Sequence, residues 1–160
     1  MGEPMPLTEF FVRHGAKTEE QFLEAFPGAF LLGRYRGGTP SILHVDKDPE
    51  VTTTIGADED CDFDFDDPTL DALHAVVTYH EGFRGWTVED RETNFGTHVD
   101  GDRISAARPV LLADRAVIKP GGGLCELQFY TSATFYKRMA KSGITRSLQQ
   151  KARREEGKSD

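Results

Sequence analysis

Cysteine is scarce. Cys61 and Cys125 are the two among 160 residues, too few for a disulfide framework, so a packed core must hold the fold. Both lie in apolar, strand-like stretches, where a reduced and buried thiol is expected. No run of eighteen apolar residues occurs, which leaves no candidate membrane-spanning helix. Met1 to Leu7 lacks the basic-then-apolar layout of a secretory signal. The expectation is a cytoplasmic protein that does not engage a membrane. There is no internal repeat and no low-complexity linker, and 160 residues suffice for one domain with a real core but are short for two.

Signatures of catalysis and metal binding are also missing. His14, His44, His74, His80 and His98 show no metal-ligand spacing with each other or with the cysteines. No nucleophile elbow, P-loop or dinucleotide-binding glycine motif occurs. Gly121-Gly122-Gly123 reads as a hairpin turn, because no helix follows whose N-terminus could hold an anion. The acidic run Asp58 to Asp67 invites a calcium loop. A loop starting at Asp60, however, would need Gly where Phe65 stands and Glu where Asp71 stands. Alternate aspartates on a strand lie about 7 Å apart, too far for one ion to be held by consecutive side chains. No metal, cofactor or catalytic residue is expected.

Charge is plentiful and uneven. Lys and Arg number 19 against 27 Asp and Glu, a net −8. From Lys137 onward eight bases face three acids, an excess of +5 that leaves −13 for the rest. An acidic body is a poor partner for nucleic acid, whose affinity comes mostly from phosphate neutralisation. The basic end reads as a solvated terminal segment.

Thr18 to Gln21 resembles a helix capping box, and Phe22, Leu23 and Phe26 follow at helical spacing until Pro27 and Gly28 stop it. This predicts a short N-terminal helix that packs Phe10, Phe11 and Phe26 on the domain. The texture then changes to short β-branched and aromatic segments between Gly, Asp and Pro turns. Strands are predicted over Ala29–Gly33, Ser41–Val45, Thr52–Ile55, Asp62–Phe65, Ala75–Tyr79, Gly85–Glu89, Thr97–Val99, Arg103–Ile104, Pro109–Leu111, Ala116–Lys119 and Leu124–Tyr130. Cys61, Phe63 and Phe65 alternate with Asp62, Asp64 and Asp66, as on a half-buried strand with one charged face. Ser132 to Ala140 predicts a closing helix, with disorder after about Gln150. The fold class is all-β, a sandwich of about eleven short strands with a short helix at each end. It divides as a helical extension over 1–27, a sandwich over 28–131, and a helix with a basic tail over 132–160.

From Thr52 to Phe129 the ordered features resemble the forkhead-associated (FHA) domain. They run from Thr54-Ile55-Gly56 through Cys61-Asp62-Phe63, Pro68 and Asp71 to His74-Ala75. Trp86 to Asp90 and Thr93 to Gly101 follow, then the strands ending at Phe129. The resemblance implies that Gly56 takes a turn conformation closed to other residues, that His74 is a structural histidine tying loops together, and that Trp86 is a core aromatic. Gly96-Thr97 and Asp100-Gly101 look like tight turns.

The resemblance also implies which positions meet a ligand, and these depart from the family pattern. Phosphothreonine readers usually have Arg after the first glycine, where Ala57 stands, and Ser three before the histidine, where Asp71 stands. They commonly have Thr or Ser and then Asn before the second glycine, where Asn94 and Phe95 stand. A phosphate without a guanidinium clamp would face Asp71, and two unit charges about 4 Å apart repel by roughly 4 kcal/mol at an effective dielectric near 20. Arg91 and Arg103 lie near enough in sequence to reach across. Gly33-Arg34 mimics the missing pair but falls outside the family spacing.

The resulting expectation is a non-catalytic, phospho-independent protein–protein interaction module. Its protein partner would dock on the apical loops or on the acidic face of Asp62, Asp64 and Asp66. The alternatives are a phosphothreonine reader with a rearranged pocket in Ser/Thr kinase signalling, or a structural subunit of a larger assembly. Oligomeric state is left open.

Overall fold

A computed structural model describes residues 2–143 together with 150, 151, 153 and 154. The expected disordered tail falls mostly outside them. The chain runs β1 (Met5–Pro6), α1 (Leu7–His14), α2 (Glu19–Ala25), β2 (Ala29–Tyr35), β3 (Ser41–Val45), β4 (Thr52–Gly56), β5 (Phe63–Asp64) and β6 (Ala75–His80). It continues with β7 (Gly85–Asp90), β8 (Thr97–Val99), β9 (Asp102–Arg103), β10 (Val110–Leu111), β11 (Val117–Pro120), β12 (Cys125–Thr131) and α3 (Ser132–Ala140).

The strands form two sheets, β1-β3-β2-β12-β11-β8-β9 and β10-β7-β6-β4-β5. Pairing is antiparallel except for β4 with β5, where Ile55 and Gly56 oppose Phe63 and Asp64. The two-residue alternation of β2 explains the layering. Ala29 and Leu31 point between the sheets with Val77, Trp86, Val88, Ile118 and Phe129. Phe30 and Leu32 point the other way, into a second core with Phe10, Phe22, Tyr130, Phe135 and Met139 of the helical layer and β12. One sheet is therefore covered on both faces.

The predicted strands and the closing helix are present with small shifts in their ends. The extension holds two helices where one was expected, and β1 is an additional strand. In α2 the capping box is complete: Thr18 Oγ1 accepts from Gln21 N at 3.2 Å and Gln21 Oε1 accepts from Thr18 N at 3.0 Å. Leu7–His14 has Pro6 before it and no side-chain cap. Its helical form rests instead on burying Leu7, Phe10 and Phe11. Asp100 and Gly101 both have positive φ, 50° and 89°, the geometry of a tight hairpin turn between β8 and β9.

Candidate binding loops

The loops after β4, before β6, after β7 and after β11 meet at one end of the sandwich, around His74. This residue is fully buried. Its backbone N–H donates to Ile55 O at 2.8 Å, and its carbonyl accepts from Arg91 N at 2.9 Å. In the ring, Nδ1 accepts from Asp71 N at 3.1 Å, so the neutral ring carries its proton on Nε2. Nε2 then donates to Gly96 O at 2.7 Å. Gly121 N lies 3.2 Å from the same nitrogen, but its acceptor is Gly96 O at 2.9 Å. One imidazole therefore joins the Asp71 loop to the Gly96 loop, and Gly121 locks the third loop onto the same carbonyl.

A second buried group holds the Asn94 loop. Asp90 Oδ1 accepts from Thr93 Oγ1 and Thr97 Oγ1, both at 2.7 Å, and Asp90 Oδ2 accepts from Thr93 N at 3.1 Å. Thr93 Oγ1 in turn accepts from Gly96 N at 3.0 Å. Burial pushes the Asp90 carboxyl up, but the bonds from Thr93 and Thr97 outweigh it and leave the group below its ordinary value.

The site residues named from sequence divide accordingly. Gly56 ends β4 without a positive φ, so its expected turn role is corrected. A Cβ there would lie 2.1 Å from Ala72 O, and the residue is glycine because two backbones touch. Ala57 and Asp71 are brought together, with Ala57 N donating to Asp71 O at 3.0 Å. Ala57 is exposed and Asp71 half-buried, and Asp58, Glu59 and Asp60 beside them are exposed. Asn94 and Phe95 are exposed on the neighbouring loop, Phe95 at 52%. Gly96 has φ 74°, and Thr97 is buried in the Asp90 network. Of the two arginines, Arg91 faces Glu89 at 3.5 Å. Arg103 lies against Gly96, where a Cβ would sit 2.7 Å from its Nε.

The acidic strand face is only partly as expected. Phe63–Asp64 is the whole strand, and Asp62 turns inward, accepting from Thr54 N at 2.9 Å and Thr54 Oγ1 at 3.2 Å. Asp64 and Asp66 remain exposed, and Glu59, Asp60, Asp62 and Asp64 border a hollow of about 620 Å³ whose other wall includes Arg34 and Tyr35. Gly33 serves packing there: a Cβ would lie 2.7 Å from the Phe63 ring. Cys61 is half-buried where full burial was expected, because its thiol sits at the loop surface donating to Ala72 O at 3.2 Å. Sequence reasoning missed Asp67, which is buried and accepts from Thr69 N at 2.9 Å, Thr69 Oγ1 at 2.8 Å and Cys125 Sγ at 3.4 Å. It also missed the Asp90–Thr93 pair as an anchor. The Asp-x-x-Thr spacing of a side-chain-to-backbone turn was the available signal. Among the described residues, no three His, Cys, Asp or Glu side chains converge as metal ligands, and no helix is long and apolar enough to cross a membrane.

Comparison with known families and structures agrees with this architecture. The FHA domain family model matches residues 53–121. Among solved structures, the FHA domain of the CT664 protein from Chlamydia trachomatis superposes with TM-score 0.55 at 18% identity, over 64% of this chain and 96% of that one. Full-length yeast Pml1p gives 0.56 at 15% identity, over 73% and 95%. Mycobacterium tuberculosis EmbR, solved in complex with a low-affinity phosphopeptide, gives 0.51 at 24% identity, over 65% of this chain and 24% of that one. No curated protein matches the sequence. Residues 53–121 are thus similar to the FHA domain family, and the two-sheet fold is shared with the solved FHA structures. Domains of this family are protein–protein interaction modules, usually phosphothreonine readers.

Proposed function

We propose that this FHA-like domain binds its protein partner without a phosphothreonine, through the loops carrying Ala57, Asp71, Asn94 and Phe95. The observation that carries the reading is the pairing of Ala57 with Asp71 at 3.0 Å. This backbone bond holds side by side two positions that, by the family resemblance, would carry a guanidinium and a hydroxyl and that here carry a methyl group and a carboxylate. A phosphate there meets like charge and no bidentate donor. The exposed Phe95 ring supplies a different kind of contact, since an aromatic side chain desolvated at an interface centre is a frequent energetic anchor. The units that serve this function are the sandwich over 28–131, the helical extension over 1–27 and the segment over 132–160, a helix followed by a basic tail.

The test is a titration of the protein with a degenerate peptide library centred on phosphothreonine and with its unphosphorylated twin. The two are expected to behave alike. Phosphate-dependent micromolar binding that Arg103→Gln or Asn94→Ala abolishes would replace this reading with the rearranged pocket, which the placement of Arg103 over Gly96 favours. For a partner recovered from native extract, Phe95→Ser is expected to reduce recovery, whereas neutralising Asp64 and Asp66 separates the acidic face from the loops.

A further inference from the structure

A cleft of about 510 Å³ lies on the helix-covered side of the molecule, between α3, β12 and the turn before β11. Arg115, Lys137, Arg138 and Lys141 line it, and all four are exposed. No Asp or Glu lines it, and none of the four cations has a carboxylate within 4 Å among the described residues. The nearby acids are engaged or turned away. Asp114 accepts from Thr131 N at 2.9 Å and Thr134 Oγ1 at 2.5 Å, and Glu126 lines an adjoining hollow with Arg138 but forms no ion pair with it. Four cations with no carboxylate partner among the described residues, gathered in one concavity, contrast with a chain of net charge −8.

The floor is built and rigid. Tyr130 Oη donates to Gln128 Oε1 at 2.8 Å, and Gln128 Nε2 donates to the Arg115 carbonyl at 3.1 Å. Arg115 N donates to Phe129 O at 2.7 Å. These bonds hold Arg115 at φ 71°, a conformation that costs a side-chain-bearing residue energy. The Arg138 guanidinium stands 5.8 Å from the centre of the Tyr130 ring. Phe11 adds an apolar edge.

We infer that this cleft is a second binding site, independent of the apical loops, for a short acidic segment of a partner protein. Its Asp or Glu carboxylates would meet the four cations, and an apolar residue beside them would meet Phe11 and Tyr130. A peptide is favoured over a long polyanion by the surroundings: a duplex or an anionic membrane extends far past 510 Å³ and would run along the acidic body, whereas a short segment ends inside the cleft.

Fluorescence anisotropy of a labelled twelve-residue Glu/Leu peptide with the full chain tests this. Arg115→Gln/Lys137→Gln/Arg138→Gln is expected to weaken binding about tenfold, from three exposed pairs of modest strength each. The charge-matched control Lys47→Gln/Arg84→Gln/Lys119→Gln is expected to leave it within about twofold. Thermal melts guard against misfolding, and Lys137→Gln/Arg138→Gln, which leaves the strained turn intact, gives the answer if the triple variant melts early. Equal weakening by the control, or none by either cleft variant, overturns the site. Tighter binding of a single-stranded 12-mer DNA or of phosphatidylserine vesicles than of the peptide at the same salt overturns the peptide assignment.

Discussion

Gly56→Ala separates close backbone approach from turn conformation as the reason for this glycine. An ideal Cβ meets Ala72 O at 2.1 Å, Ala72 C at 2.9 Å and Asp71 O at 3.0 Å, whereas ordinary contact begins at 3.4 Å. All three obstacles are backbone, so no rotamer change relieves them. The segments must part by about 1 Å, which takes Ala57 N to Asp71 O and Asp58 N to Ala72 O, now 3.0 and 3.1 Å, beyond hydrogen-bonding distance. Two lost bonds at about 1 kcal/mol each, with overpacking strain of about 2 kcal/mol, sum to about 4 kcal/mol. That is a large part of the roughly 5–15 kcal/mol that stabilises an ordinary domain. Urea denaturation should show the midpoint falling by about 2 M at an m-value near 2 kcal/mol/M. Gly101→Asn is the contrasting variant, because Gly101 has φ 89° with open space around it. Asn tolerates that conformation, so the loss should stay within about 1 kcal/mol. A Gly56→Ala protein within about 1 kcal/mol of wild type would refute the steric account.

Four further outcomes are expected. Asp90→Asn should destabilise by about 2–3 kcal/mol at pH 7 by weakening a buried, charge-assisted network. Asp90 is depressed below its ordinary 3.8, so its stabilisation is complete above that value and fades as pH falls through the lower folded value. The gap to wild type should therefore narrow below pH 3.8 in urea melts, and a constant gap would contradict it. Thr18→Ala should cost about 1 kcal/mol by removing the α2 cap, read from the same melts. Thiol alkylation should leave Cys125 untouched until unfolding, since burial and then Asp67 push its thiol up to about 12, while Cys61, raised less and half-buried, reacts slowly but first. Ala57→Arg/Asp71→Ser should gain at least tenfold in affinity for phosphothreonine over threonine peptides by isothermal titration.

Strand positions were legible because the period of two and the Gly, Asp and Pro punctuation are local signals. Asp100-Gly101 shows this well, since the turn chemistry and the observed positive φ pair coincide. Helix α1 was not legible: Pro6 offers no cap bond, and Phe10 and Phe11 become helix-forming only against Phe30 and Phe135. Gly56 was identified for a conformational reason when its true constraint is a carbonyl sixteen residues onward. Asp62, Asp67 and Asp90 expose the limit most clearly. An aspartate in a sequence reads as solvated, and whether it turns inward depends on hydroxyls such as Thr54, Thr69 and Thr93 being delivered to it. His74 joins the Asp71 and Gly96 loops, and its tautomer followed only from which loop amide met which ring nitrogen.

The two candidate surfaces have different physical origins. At the apical loops the His74 and Asp90 networks hold the loops that carry Ala57 and Asp71, and on the proposed reading Asp71 sets a charge where a phosphate would lie. On the helical side, Phe30, Tyr130, Phe135 and Met139 fill the space between sheet and helices. That layer fixes α3 so that Lys137, Arg138 and Lys141 come up against Arg115 from the β-turn. A sandwich without α3 would have no such cleft. The helical additions thus do more than cover an apolar sheet face. They gather cations, and on the proposed reading the domain carries its anion-binding chemistry on this face and not at the apical loops.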